Sequence, residues 1–144
     1  MKVVINNCFG GFHLSARALE YYGKLKGINE LFHYLRDYEE ECYKKVSAKE
    51  LDGSIILFTF STTKDFGDVV PVGSEMELLD HSYSPNFDND RHNPHLIQTV
   101  EELGELASSR VSDLNIIEIP DDVEYEIKEY DGNEWVAEKH RTWR

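Results

Sequence analysis

Cysteine is scarce in this chain: Cys8 and Cys42 are the only two, far apart and with no Cys-x-x-Cys pair. Disulfides are not expected, and a reducing cytoplasm is the compartment that suits the chain. Long hydrophobic runs are also missing. Ile55 to Phe58 is the longest strongly apolar stretch of the interior, and the N-terminal one is broken by Asn6 and Asn7, so neither a membrane span nor a signal peptide is expected. Positive charge is in short supply. With 15 Lys and Arg against 28 Asp and Glu, the net charge of -13 weighs against broad contact with nucleic acid or anionic lipid, both of which need clustered cations. A small anionic ligand stays open, because local hydrogen bonds act inside a Debye length of about 8 Å while the net field is screened beyond it.

Nucleotide and catalytic fingerprints are absent too. The loop Cys8-Phe9-Gly10-Gly11-Phe12 has neither the G-x-G-x-x-G order nor the Lys and Ser/Thr of a P-loop. Asp88-Asn89-Asp90 is not a calcium loop, since the sixth position is Asn93 and the twelfth is Thr99. No Ser-His-Asp arrangement is marked by spacing, no nucleophile stands beside His140, and Cys8 has no partner fixed by spacing. No catalytic residues and no cofactor are therefore expected. No repeat, low-complexity tract or linker is visible.

What is present fits one domain spanning residues 1–144, long enough to bury roughly two thirds of its unfolded surface. Val3-Val4-Ile5 followed by Gly10-Gly11 and then Ser15 reads as strand, tight corner and capped helix start, with Leu14 and Leu19 at hydrophobic-staple spacing. A helix is predicted over 15–26, its apolar face being Ala18, Leu19, Tyr22 and Leu25 and its stop Gly27. Residues 28–51 carry mixed helical and strand signals and are assigned to strands. Asp52-Gly53 predicts a turn into a strand over 55–60 through the sheet centre. Residues 62–93 read as loops with one short strand near Glu75 to Leu79. Asn93-Pro94 opens a second helix with the stripe Leu96, Ile97, Val100, Leu103 and Ala107. Leu114 to Ile119 reads as a buried strand, and Val123 to Glu138 as a hairpin about Asp131-Gly132. The resulting class is α+β: a mostly antiparallel sheet with two helices packed against it.

Three sets of residues can carry function. Phe9 and Phe12 flank the glycines, so their rings can stack on a base while the amides near Gly10, Gly11 and Ser15 meet a phosphate; an ordinary corner with inward phenylalanines is the alternative. Tyr83, Phe87 and Arg91 in the long loop are the equipment for a base and a phosphate, and Arg17 and Arg110 can join them if the fold brings the helix ends together. Surface ion pairs are the alternative for each arginine. His92 and His95 can approach each other at a helix start, but exposed loop histidines are the simpler reading and no metal is assigned. Residues 118–134 hold eight acids against one lysine, a negative face on which the basic tail ending in Trp143 can dock.

Ile5-Asn6-Asn7-Cys8-Phe9-Gly10-Gly11-Phe12-x-Leu14-Ser15, Val100-Glu101-Glu102-Leu103-Gly104-Glu105, Glu118-Ile119-Pro120-Asp121-Asp122-Val123-Glu124, Asp131-Gly132 and Glu138-Lys139-His140-Arg141-x-Trp143 resemble small uncharacterised proteins of phages and prophages. The resemblance covers about half of the chain, at its two ends. It implies a phage setting, in which proteins of this size include anti-defence sponges for nucleotide immune signals such as cyclic dinucleotides or cyclic ADP-ribose derivatives. The expected function is accordingly a non-enzymatic binder of a small nucleotide-like ligand, homo-oligomeric, with Phe9, Gly10, Gly11, Phe12, Ser15, Arg17, Tyr83, Phe87, Arg91 and Arg110 at the site. An acidic inhibitor of a host nucleic-acid-binding enzyme and a hydrolase of the same nucleotides are the rival expectations.

Overall fold

A computed structural model describes residues 1–52 and 59–139. The class is α+β, and every strand pairing is antiparallel. Among the described residues the strands fall into three separate sheets, and the α-helices number three.

The chain opens with β1 (Lys2–Asn6) and, after the glycine corner, α1 (Ala16–Leu25). Ser15 caps α1 as expected, its Oγ accepting from the Ala18 amide at 3.1 Å, and Gly27 takes the left-handed φ of 92° that ends such a helix. Residues 28–51 form strands, β2 (Phe32–Asp37) and β3 (Cys42–Val46), followed by a 3-10 turn over Lys49–Leu51. Asp37 turns the chain between them by accepting the amides of Glu39 and Glu40, each at 3.0 Å.

β4 (Thr59–Thr62) and β5 (Val69–Pro71) complete the largest sheet in the order β4-β2-β3-β5. The strand expected at the sheet centre therefore lies at an edge among the described residues. Its apolar half, 55–58, and the Gly53 side of the preceding turn lie outside the described residues, as does the C-terminal segment 140–144 with the basic tail.

The strand expected near Glu75 is instead α2 (Glu75–Asp80). Glu-Met-Glu-Leu-Leu contains no β-branched residue, and its helical spacing turns Leu78 fully inward while Met76 and Leu79 stay exposed. Leu78 joins Tyr34, Tyr43 and Val70 in a core on one face of the sheet. The opposite face packs Leu35 and Val46 on Ala16, Ala48 and Leu51.

α3 (Pro94–Leu103) begins where expected: the Asn93 side chain accepts from the amides of His95 and Leu96 at 2.9 and 3.3 Å. Gly104 ends it, and a 3-10 turn over Gly104–Ala107 leads to β6 (Leu114–Glu118). β6 pairs with β1 in the register Lys2↔Glu118 to Asn6↔Leu114. Only Leu114 of β6 is buried, and among the described residues β1 is the one strand that pairs with it. Val4, Ala18, Tyr22, Phe87, Leu96, Val100, Ala107 and Leu114 form the largest core, between this ribbon and the facing helices α1 and α3.

The chain closes with the hairpin β7 (Tyr125–Tyr130) and β8 (Asn133–Glu138). Asp131 and Gly132, with φ of 52° and 89°, make the two-residue turn that the Asp-Gly pair specifies. Among the described residues no helix is long and apolar enough to cross a membrane.

Candidate functional site

The glycine corner is built against the hairpin. A Cβ on Gly10 would overlap the Val111 carbonyl oxygen, and one on Gly132 would lie 2.5 Å from the Gly11 nitrogen and 2.7 Å from the Phe9 oxygen. Asn6 seals the same junction, its Nδ2 donating to the Cys8 and Gly132 carbonyls at 2.7 Å each. These contacts leave Phe9 outside, 62% exposed. Gly10 and Gly11 thus serve a corner whose backbone is filled from behind.

Four of the sequence-predicted residues do converge. Phe12, Ser15, Tyr83 and Phe87 line one cavity of about 440 Å³ between the start of α1, β4 and the loop after α2. Phe87 is itself buried, meeting Tyr22 edge-on at 5.0 Å and Phe12 at 6.0 Å. The Ser15 hydroxyl is engaged at both ends of its capping role, donating to the Leu106 carbonyl.

The arginines do not converge. Arg91 places its Cζ over the Phe12 ring, 3.8 Å from the centroid, and forms a buried two-pronged pair with Glu134. Its counter-ion is therefore the protein's own carboxylate, which corrects the reading of Arg91 as a phosphate ligand. Arg17 pairs with Asp52, Nε to Oδ1 being 3.0 Å, and opens onto a different cavity. Arg110 is exposed beyond α3 and lines neither cavity. His92 makes a 3.0 Å hydrogen bond with Tyr125. Among the described residues no group of three His, Cys, Asp or Glu side chains is placed to hold a metal ion.

The second cavity is a groove of about 1020 Å³ between α1 and the β2–β3 hairpin. Arg17, Glu20 and Lys24, three and four positions apart, place one polar face of α1 along it. Ile28, Leu31 and Phe32 supply an apolar floor, and Lys45 and Lys49 approach from the opposite wall. Lys45 stands 2.6 Å from Asp65 and 5.2 Å from the Phe32 ring centroid. This contact raises the Lys45 pKa; Asp65 is held below the usual carboxylate range first by Lys45 and then by the Gly67 amide. Lys24 and Lys49 have no carboxylate at ion-pair distance among the described residues. No spacing in the sequence announced this groove, because Lys24 and Lys49 meet only through the packing of α1 on the sheet.

Between the two cavities lies a constellation the sequence did not reveal. His33, 1% exposed, has Nε2 2.8 Å from Glu20 Oε1 and Nδ1 2.7 Å from Ser61 Oγ. Glu20 lines the groove, Ser61 lines the smaller cavity, and the imidazole joins them. The antiparallel register His33↔Ser61 across β2 and β4 sets their two side chains on one face of the sheet. Glu20 then comes down from α1.

The outward face of the β7–β8 hairpin carries Tyr130 and Trp135, 74% and 46% exposed, beside Glu126. Comparison with protein-family models, curated proteins and solved structures finds no match to this chain.

Proposed function

We propose that the protein binds and holds a small nucleotide-derived anion in the groove between α1 and the β2–β3 hairpin, without transforming it. One observation carries the reading: in a chain of net charge -13, Arg17, Lys24, Lys45 and Lys49 gather around one groove of about 1020 Å³. That volume suits a ligand larger than a single nucleotide base. The phosphates meet Lys24 and Lys49, while the base lies on Phe32 and Leu31. Glu20, Glu30 and Asp65 line the groove as well; Glu20 and Asp65 are already engaged, by His33 and Lys45, so these two oppose an anion less than free carboxylates do. The resemblance of the two chain ends to phage proteins adds the setting, namely sequestration of an immune signal of the cyclic-nucleotide or cyclic ADP-ribose type. The aromatic cavity at Phe12, Tyr83 and Phe87 is the poorer candidate for this ligand, since no Lys or Arg lines it.

Calorimetric titration against cyclic dinucleotides, cyclic ADP-ribose isomers and inorganic phosphate tests the reading. Saturable binding of one nucleotide, recovered at unchanged mass after denaturation, is expected. No heat and no thermal shift across the panel overturns it, and recovery of a cleaved ligand overturns its non-catalytic part.

A second reading rests on the hairpin. Exposed Tyr130 and Trp135, beside the seven acids of residues 118–131, make an anchor for a basic protein partner, such as a nucleic-acid-binding enzyme whose phosphate sites the carboxylates imitate. Charge reversal at Glu124, Glu126 and Glu129 that leaves inhibition of such an enzyme intact sinks it.

A further inference from the structure

We propose that Ser61 is a nucleophile, with His33 as its general base and Glu20 as the residue that positions and charges the base, and that the smaller cavity receives the acyl group of a neutral ester. The three side chains form one hydrogen-bonded line, Ser61 Oγ to His33 Nδ1 at 2.7 Å and His33 Nε2 to Glu20 Oε1 at 2.8 Å. Both distances lie within the range that proton transfer requires. A neutral imidazole with its proton on Nε2 donates to the Glu20 carboxylate, which leaves Nδ1 to accept the serine hydroxyl. The ring is held on both sides and almost wholly buried, so its orientation is set before any substrate arrives.

The cavity identifies the substrate class. Leu14, Leu19, Phe60, Leu79 and Tyr83 line the same cavity as Ser61, together with the polar His13, Ser82 and Ser84, and among the described lining residues none is Lys, Arg, Asp or Glu. Such a wall offers a phosphate or carboxylate no Lys or Arg counter-ion, and at about 440 Å³ it has room for a short aliphatic or single-ring acyl group. Thr59, two positions away on the same face of β4, lines the cavity as well, and its Oγ1 has no acceptor among the described residues.

In the first step the Ser61 proton passes to His33 Nδ1 while Oγ bonds to the ester carbonyl carbon. The carbon–alkoxide bond then breaks, and the alkoxide leaves with the proton from His33. In the second step water gives a proton to His33 and attacks the acyl-serine; the acid departs and Oγ recovers the proton. Glu20 stabilises the imidazolium in both steps without itself taking the proton. The nucleophile and the acyl pocket lie in a different cavity from the anion groove, although Glu20 and His33 also line that groove, and the reaction requires no ligand there.

Reaction of the intact protein with phenylmethanesulfonyl fluoride, followed by peptide mass spectrometry, is the direct test. A single sulfonyl adduct on Ser61 is expected, with p-nitrophenyl butyrate hydrolysis lost in step with labelling. Folded wild-type protein that acquires no adduct on Ser61 overturns the proposal, whatever the variants do. Ser61→Ala is expected to abolish labelling and His33→Gln to slow it about 100-fold, within the range a general base supplies. Glu20→Gln keeps an acceptor for Nε2 but removes the charge. It is expected to lower kcat at least tenfold at unchanged KM and unchanged thermal midpoint, with Glu20→Asp restoring most of the rate. Labelling as fast in Glu20→Gln and His33→Gln as in the wild type also overturns it.

Discussion

Arg91 and Glu134 grip each other in a parallel fork, Nη1 to Oε1 at 2.6 Å and Nη2 to Oε2 at 2.8 Å, with both side chains 7% exposed. The pair joins three parts of the chain. Glu134 Oε1 also accepts the Asn6 amide at 2.9 Å, and Arg91 Nε donates to the Phe87 carbonyl at 3.0 Å. Removing one partner leaves a buried charge without its counter-ion, so Arg91→Ala and Glu134→Ala are each expected to lose about 3–5 kcal/mol in urea denaturation. The double change Arg91→Met with Glu134→Leu is expected to lose less than either single change. A larger loss in the double variant refutes this account.

The corner beneath the hairpin turn has no room for a methyl group. Gly132→Ala would set a Cβ 2.5 Å from the Gly11 nitrogen at a φ of 89°, and Gly10→Ala would drive one into the Val111 carbonyl. Each is expected to cost about 1–3 kcal/mol, the range for overpacking. Thermal midpoints of the two variants check it. A shift within error at both positions contradicts the packing described.

Lys24 and Lys49 are exposed, so Lys24→Glu combined with Lys49→Glu is expected to leave the thermal midpoint nearly unchanged. For the nucleotide found by calorimetry, the same variant is expected to raise Kd at least tenfold, about 1.4 kcal/mol. The salt dependence of binding falls with it. Unchanged affinity moves the ligand out of this groove.

Acid sensitivity follows from carboxylates titrating lower in the folded protein than in the unfolded chain. Asp37 is held down first by the Glu40 amide and then by Lys44, and Asp65 first by Lys45 and then by the Gly67 amide. A depressed carboxyl contributes stability above its unfolded pKa, about 3.9 for Asp, and loses it as pH falls through the folded value. Urea midpoints are therefore expected to be level between about pH 7 and 5 and to decline below about pH 4. Lys45→Met is expected to make the acid decline shallower by removing the Asp65 part. Both carboxylates sit in exposed pairs, so the change is small.

Much of the local structure was legible because its signals are local. Ser15, Asn93-Pro94 and Asp131-Gly132 each mark an element boundary within a few residues, and all three stand where their chemistry places them. α2 was misread because two acids alternating with apolar residues imitate strand periodicity over so short a span. The division into three sheets was not legible at all, since which strands pair depends on partners far apart in the chain. Of the aromatics named from the sequence, Phe12, Tyr83 and Phe87 line one cavity while Phe9 stands outside it. Arg91 meets the Phe12 face, but its anion comes from Glu134, 43 positions onward, which no spacing rule reports. Ser61 and Glu20 likewise lie 28 and 13 positions from His33, so only the β2–β4 register and the descent of α1 reveal their line.

β1 has a further consequence for how the chain comes into being. Its Val3 and Val4 are fully buried, its register partner is β6, and its Asn6 amide waits for a carboxylate 128 positions later. A ribosome delivers the first strand early and its neighbours last, so these valines emerge into solvent with no native mate. At synthesis rates of about 5–20 residues per second, the delay lasts several seconds to tens of seconds. Loop closure over such separations also makes the final step slow relative to local helix formation. β1 can therefore complete its pairing only after residues 114–138 are out, and the nascent chain is at its most aggregation-prone in the interval before that.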